Sequence, residues 1–350
     1  MIFDNAIYIK DPHLSLGFAN RIRKDYEKNI YDKFKYIRKW CIENKVSIVR
    51  FTGDIFDSSS EDNWSFKKYR LNKRLLQYLI DENGTSDFKI SLESNKGNHD
   101  MFHGNSELEE TVFDEMVSEN IIKNITKDPK TGHTNLPKVP SCFRVQGIDY
   151  GTHDKVLSDI QLLNDEKYDA SFKVAILHSN IAPSKEADDK IVDFSYNYLI
   201  DKFPDIDVFV CGHYHIGFDT TTLMRENGKE CTFINNWNLT RVVRDYETQL
   251  DEHEPEFEHM KIYINDDTFS CICKTHKIPF VTYNDTFNYK HIMFNNKSSK
   301  ELFNFFNKDS ITELLNQESN DIDLINDIAK KKSYNNESIQ KAVEYLNNAK

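Results

Sequence analysis

Ser47-Ile48-Val49-Arg50-Phe51-Thr52-Gly53-Asp54-Ile55-Phe56-Asp57-Ser58 is where the fold of this chain is decided. A short β-branched and aromatic run, strand-like in character, stops at a glycine, and a carboxylate follows at once. The glycine lets the backbone turn sharply and leaves room beside Asp54. Such a strand delivers Asp54 at its carboxyl end, the side on which open α/β sheets form their ligand crevice.

The same arrangement recurs on both sides. Residues 5–9 read as a strand before Asp11-Pro12-His13, and residues 88–92 as a strand before Gly97-Asn98-His99-Asp100. Residues 172–177 lead to His178, and residues 208–211 to Gly212-His213-Tyr214-His215. Residues 142–148 give one more strand. Between strands, Tyr26, Ile30, Phe34, Ile37 and Cys41 step by three and four, which predicts a helix with one apolar face. Residues 64–79 and 107–117 read as two further helices. Strands alternating with helices over residues 5–240 indicate an α/β sheet fold.

Two carboxylates, an amide oxygen and four imidazoles, each just after a strand, suit a pair of divalent cations. Hydrolysis of a phosphodiester brings an anionic nucleophile to an anionic centre; two cations neutralise the phosphate and acidify a water. Only a carboxylate readily serves both cations, so Asp54 is the expected bridge. Asp11, His13 and His215 would complete one site; Asn98, His178 and His213 the other. His99 follows Asn98 directly and projects elsewhere, which casts it as the group that stabilises or protonates the leaving oxygen. Asp100 is expected to orient His99.

Each fragment alone has an ordinary explanation. Asp-x-His is common by chance, His178 by itself suits a buried core histidine, and Gly212-His213-x-His215 suits a half-exposed strand. Gly-Asn-His-Asp is the rarest, and the order of all five carries the inference. His103, His133, His153, His253, His259, His276 and His291 lie outside any ligand spacing and receive no role.

With 350 residues, 39% hydrophobic and 29% charged, the chain can bury a large core, and no apolar run reaches membrane-span length. Its first residues lack the features of a signal peptide, so a cytoplasmic location is expected. Six cysteines without C-x-x-C spacing read as free thiols, Cys271 and Cys273 on one face of a strand. A net charge of -12 disfavours coating nucleic acid through the whole surface, while leaving local metal–phosphate contact open. Basic residues cluster at Arg21, Arg23, Lys24, Lys28, Lys33, Lys35, Arg38 and Lys39, then at Lys67, Lys68, Arg70, Lys73 and Arg74. Solvated helix faces are the favoured explanation over a phosphate-tracking surface.

The composition then divides the chain into three parts: residues 1–245, the α/β domain; 246–297, an acidic linker with a β-rich cap; and 298–350, a helical tail. In the second part, residues 260–264 and 269–273 around Asn265-Asp266-Asp267 predict a hairpin.

The motif set resembles the calcineurin-like metallophosphoesterase superfamily over roughly residues 5–240. Within it the chain is similar to SbcD-type double-strand-break repair nucleases and their phage relatives. The points of similarity are His13-Leu14 shortly before Gly17, the basic helix before the second motif, and Gly-Asp-Ile-Phe-Asp-Ser at 53–58. Serine/threonine phosphatases of the superfamily carry Gly-Asp-x-Val-Asp-Arg-Gly and Gly-Asn-His-Glu instead. The resemblance implies a metallophosphoesterase β-sandwich flanked by helices, with a small β-rich cap and a C-terminal helical tail. It further implies a two-metal, Mn²⁺-dependent exonuclease/endonuclease on DNA ends, serving recombination and repair. The implied partner is an SbcC-type coiled-coil ATPase held by residues 298–350, with homodimerisation resting on the resemblance alone and no membrane involved.

Three departures stand out: Asp57 where archaeal and eukaryotic members have histidine, Asn235-Asn236-Trp237-Asn238-Leu239-Thr240-Arg241 in place of Pro-Gly-Ser, and Lys10 beside Asp11. The rival activity is a phosphatase or cyclic-nucleotide phosphodiesterase acting on a small substrate. A binding module that has lost catalysis is the non-enzymatic rival.

Overall fold

Strands form where the apolar runs were expected, and most are held in two large sheets. In chain order the first elements are β1 (Ile2–Ile9), α1 (Tyr26–Asn44), β2 (Ile48–Phe51), α2 (Phe66–Ile80), β3 (Ser91–Ser94), α3 (Val112–Ser118), β4 (Lys123–Asn124) and β5 (Phe143–Ile148). Then come α4 (His153–Asn164), β6 (Phe172–Ser179), β7 (Ile181–Ala182), β8 (Phe194–Ser195), α5 (Tyr196–Lys202), β9 (Val208–His213), β10 (Phe218–Met224), β11 (Glu230–Asn235), β12 (Glu256–Asn265) and β13 (Thr268–Lys277). The computed structural model describes residues 2–16, 26–58, 65–81, 87–101, 111–126, 143–165, 172–184, 192–240, 254–265 and 268–279, all within the first of two units, Met1–Asn288 and Tyr289–Lys350. The tail expected at 298–350 lies outside the described residues.

One large sheet has the order β13-β12-β1-β2-β3-β4 and the other β10-β11-β9-β6-β5, while β7 and β8 pair separately among the described residues. Between them lies an apolar layer: Ala6 and Tyr8 of β1 and Met260 and Ile262 of β12 meet Val174 and Ile176 of β6 and Val208 and Val210 of β9. The opposite faces carry helices. Ile7, Ile9, Val49 and Phe51 pack under α1, α2 and α3, while Ala175, Leu177 and Phe209 pack under α4 and α5. The protein is thus an α/β sandwich of two sheets flanked by helices. All eight residues of β6 are buried, as expected of a strand covered on both faces.

The layer between the sheets also holds charge. Arg50 donates to Asp4 (2.5 and 3.0 Å), Glu93 (2.9 Å) and the Tyr8 hydroxyl (2.7 Å), and all four side chains are buried. Burial opposes the guanidinium charge, but Asp4, Tyr8 and Glu93 together raise its pKa further.

Several expectations change on contact with the structure. The helix over residues 26–44 buries the predicted apolar face, yet Lys33 and Arg38 are buried too, not solvated. Lys33 Nζ donates to the Leu239 carbonyl (2.7 Å), and Arg38 donates to the carbonyls of Leu79 and Ile80 (2.8 and 2.9 Å). Those last two belong to the end of α2, where carbonyls lack helical partners. Strand β3 begins at Ser91, not 88, because residues 88–90 dock on the helices: Ile90 N donates to Ile80 O (3.1 Å) and Phe88 packs in the helix-side core.

The hairpin expected around Asn265-Asp266-Asp267 forms, as β12 and β13. Strand β12 pairs antiparallel with β1, from Ile2 with Tyr263 to Tyr8 with Glu258, and so extends the sheet that carries Asp11. Glu258, expected in an acidic linker, is buried there; it accepts a hydrogen bond from Thr275 Oγ1 (2.8 Å), and burial pushes its carboxyl up to about 7. Helix α3 occupies the C-terminal half of the expected 107–117 helix, with residues 102–110 outside the described set. Strands β10 and β11 and helices α4 and α5 were not anticipated.

Candidate metal centre

Strands β1, β2 and β3 are parallel neighbours in one sheet, β6 and β9 in the other. Their carboxyl ends deliver Asp11, Asp54, Asn98, His178 and His213 to one place. His178 pairs with Gly212 and Ser179 with His213, so the two histidines sit at the end of the ladder itself; His215 lies just beyond it.

Backbone strain concentrates here. Asp11 (φ 38°), His13 (φ 44°), Asp54 (φ 45°) and His213 (φ 76°) all occupy the left-handed region, beside Gly53 at φ 90°. Non-glycine residues pay on the order of 1 kcal/mol each for this, and such outliers gather at functional sites. Lacing between the first two loops sustains it: His13 N to Asp54 O (2.9 Å), Leu14 N to Ile55 O (2.7 Å) and Asp57 N to Leu14 O (3.2 Å). Asp11 adds a link across the sheets by accepting from His213 N (2.8 Å).

The structure brings the seven candidate residues together. The ligand atoms of Asp11, His13 and His215 lie within 4.8 Å of one another, as do those of Asp54, His178 and His213; His13, Asp54 and His99 form a third such group. Asn98 Oδ1 is 3.1 Å from His178 Nε2 and so joins the second group. His13 Nε2 and His215 Nε2 converge to 3.1 Å.

Asp54 tests whether cations fit. Its Oδ1 accepts from His99 N (2.8 Å), but its buried Oδ2 has no donor aligned on it among the described residues. That oxygen is flanked by His178 Nε2 at 3.3 Å and His13 Nε2 at 3.6 Å, one imidazole from each group. A buried carboxylate oxygen left without a donor is costly, and a cation on either side satisfies it. The donor set fits a pair of divalent ions.

The electrostatics agree. Burial alone would raise the Asp54 carboxyl, yet His178, then His13 and His99, hold it well below the usual carboxylate range. Burial would depress His178, but Asp54 and then Asp11 lift it to about 9. Tautomers are set as well: His178 Nδ1 is 2.7 Å from the Thr52 carbonyl, so Nδ1 carries the proton and Nε2 is left to ligate.

Asp100 does not orient His99. Its buried carboxylate accepts three backbone bonds, from Gly97 N (3.1 Å), Ile55 N (3.2 Å) and Phe56 N (3.1 Å), and so ties the Asp54 loop to the Asn98 loop. Burial, then the charge of Asp54, pushes its carboxyl up to about 7. The expectation failed because sequence adjacency does not fix direction: Asn98–Asp100 form one tight 3-10 turn in which neighbouring side chains diverge. The group that holds His99 is the Asp57 carbonyl, 2.8 Å from His99 Nδ1. Gly97 has no room for a side chain, since a Cβ there would fall inside the Asp54 carboxylate.

Further residues that the sequence reading passed over support the centre. Thr52 Oγ1 donates to Asp11 (3.1 Å), and the Asp57 carboxylate stands 3.7 Å from His13 Nδ1. Two of the departures from the family pattern meet each other: Lys10 Nζ donates to Asn235 Oδ1 (2.5 Å), Leu239 N donates to Lys10 O (3.0 Å), and Thr240 Oγ1 donates to Pro12 O (2.5 Å). The Asn-rich segment therefore braces the Asp11 loop. A carboxamide and a lysine far apart in sequence give no sign of this pairing until the sheets are assembled.

No curated protein matches the chain. Among solved structures it is similar to a 5'-nucleotidase precursor from Thermus thermophilus (TM-score 0.40, 9% identity, 85% of this chain covered), spanning 59% of that chain. It is also similar to a dimetal phosphatase from Danio rerio (TM-score 0.43, 12% identity, covering 80% of this chain and 100% of that one). Residues 11–217, which run from the first candidate ligand to just past the last, match the calcineurin-like phosphoesterases as a family. With that match the chain belongs to the calcineurin-like phosphoesterase family, and the grouped histidine and carboxylate side chains that could hold metal ions lie within the matched span.

Proposed function

We propose that this protein is a metal-dependent phosphoester hydrolase, a DNA nuclease that cleaves phosphodiesters with two Mn²⁺ ions, the nuclease subunit of an SbcCD-like recombination and repair complex. The observation that carries the two-cation part is the Asp54 Oδ2 atom, without an aligned donor and flanked by one imidazole from each ligand group. Asp11, His13 and His215 would hold one ion and Asn98, His178 and His213 the other, with Asp54 between. When bound, the ions supply charge neutralisation at the phosphate and a nucleophile of lowered pKa. His99 supplies the proton chemistry: with Nδ1–H donated to the Asp57 carbonyl, Nε2 is the atom that gives or takes a proton at the leaving oxygen.

The choice of a diester is supported by the charges around the centre. The groups acting most strongly on Asp54 are imidazoles, and the two lysines beside the motifs are committed elsewhere, Lys10 to Asn235 and Lys96 to Asp114 (2.6 Å). A phosphomonoester dianion asks for a further cation that a diester monoanion does not need. Ser58 stands where the phosphatases of the superfamily carry arginine. DNA ends as substrate, the coiled-coil ATPase as partner of residues 298–350, homodimerisation and action in the cytoplasm rest on the sequence resemblance. No helix among the described residues is long and apolar enough to cross a membrane.

The test is degradation of linear double- and single-stranded DNA by the purified protein with Mn²⁺, alone and with the ATPase. Metal-dependent cleavage that disappears on alanine substitution at Asp54 and at His99 is the expected result. Turnover of small phosphomonoesters with no effect on DNA would overturn the nuclease reading in favour of a phosphatase.

A further inference from the structure

Beside the ligand groups stands a residue with no role so far, Tyr150. Its ring centroid is 5.2 Å from that of His213 and 6.1 Å from that of His178, and the residue is half-buried. Both histidines belong to the group that shares Asp54. Among the described residues the Tyr150 hydroxyl has no hydrogen-bond partner, and it is not a buried orphan either. The position is fixed by its neighbours. Tyr150 N donates to Lys96 O (3.0 Å), the Asp149 carboxylate accepts from Lys96 N (2.7 Å) and Thr126 Oγ1 (2.6 Å), and Thr152 caps α4. The backbone at Tyr150 is thus tied to Lys96, in the loop that presents Asn98.

We propose that the Tyr150 hydroxyl donates a hydrogen bond to a phosphate oxygen of the substrate; this rests on the phosphodiester reading above. Phosphoryl transfer spreads negative charge over the equatorial oxygens, and catalysis gains from fixed donors aimed at them. Lys10 and Lys96 are bound elsewhere, and the Tyr150 phenol is a neutral donor beside the candidate ligands His178 and His213. The plainer account, in which the ring only packs against the imidazoles, uses the ring and leaves the hydroxyl idle. The two accounts therefore separate at a single atom.

The experiment compares wild type, Y150F and Y150L, each loaded with Mn²⁺. Three quantities are read: Mn²⁺ bound per chain, the Kd of inorganic phosphate by calorimetry, and kcat/KM for bis(p-nitrophenyl) phosphate. Y150F is expected to keep its Mn²⁺, to bind phosphate several-fold more weakly and to lose about 10- to 100-fold in kcat/KM. Y150L, which also removes the ring, is expected to lose at least as much. Unchanged phosphate affinity and kcat/KM in Y150F would overturn the proposal, as would loss of Mn²⁺ from Y150F or a wild type that binds no phosphate. A wild type that binds phosphate but turns over no diester would refute the nuclease reading instead, and the phosphate titration would still decide the role of Tyr150.

Discussion

Asp57 meets two imidazoles at once: its carbonyl accepts from His99 Nδ1 at 2.8 Å, while its carboxylate faces His13 Nδ1 at 3.7 Å. Backbone and side chain of one residue thus serve two different jobs. Asp57→Ala removes only the second. We expect it to weaken Mn²⁺ binding about 10- to 100-fold, because His13 loses the carboxylate that faces its Nδ1, and to leave kcat at saturating Mn²⁺ within a few-fold of wild type. Metal titration followed by kinetics at saturation measures both.

His99→Asn should behave in the opposite way. Its backbone N–H to Asp54 is retained, so two Mn²⁺ should still bind, while kcat falls about 10²- to 10⁴-fold with the loss of the proton-transferring group. Metal analysis on the same sample as the rate measurement checks the pair of outcomes. Loss of metal along with activity would instead make His99 a ligand, as its membership of the third group with His13 and Asp54 allows.

Metal binding should release protons. In the metal-free centre the His178 pKa is raised to about 9, mainly by Asp54 against the effect of burial, and a ligating imidazole must be neutral. Affinity for Mn²⁺ therefore falls as pH drops below about 9. The folded-state pKa lies above the unfolded value of about 6.5, so protonated His178 stabilises the metal-free protein fully below pH 6.5, and that contribution is lost as pH rises towards 9. Calorimetry in buffers of different ionisation enthalpy measures the protons released. Melting curves of the chelated protein should show Tm falling between pH 6.5 and 9.

Arg50→Met leaves Asp4 and Glu93 facing each other between the sheets without their cation. Removing one member of a buried ionic cluster costs about 3–5 kcal/mol, and chemical denaturation should show a loss of that size. A loss under about 1 kcal/mol would mean that water reaches the cluster.

Gly97→Ala should spare the fold and damage the centre. The added methyl would intrude on the Asp54 carboxylate, so the shared ligand must move. Near-normal circular dichroism with loss of at least one bound Mn²⁺ is the expected pair of observations.

The sequence revealed what repeats a local grammar. A strand, a tight turn and a polar residue recur at Asp11, Asp54 and Asn98, and this marked out the seven candidates that the structure gathers at one place. What it hid are relations between distant segments. Arg38 carries the same charge as its exposed neighbours, and only the end of α2 beside it shows why it is buried. Residues 260–273 read well as a hairpin, yet nothing local says that β12 pairs with β1. Asp100 was misassigned because a neighbour in sequence was taken for a neighbour in space, whereas its three bonds reach backbone amides at 55, 56 and 97.

The brace formed by Asn235, Leu239 and Thr240 against Lys10 and Pro12 sets how this protein can be divided. The family match stops at residue 217, but the loop that presents Asp11 leans on residues beyond that point, and β1 beneath it is flanked by β12. A fragment ending at 217 would keep every ligand and still lose the support of the first one. Shuffling of catalytic and C-terminal modules between relatives would have to carry residues 218–277 along with the ligands, or exchange Lys10 and Asn235 together.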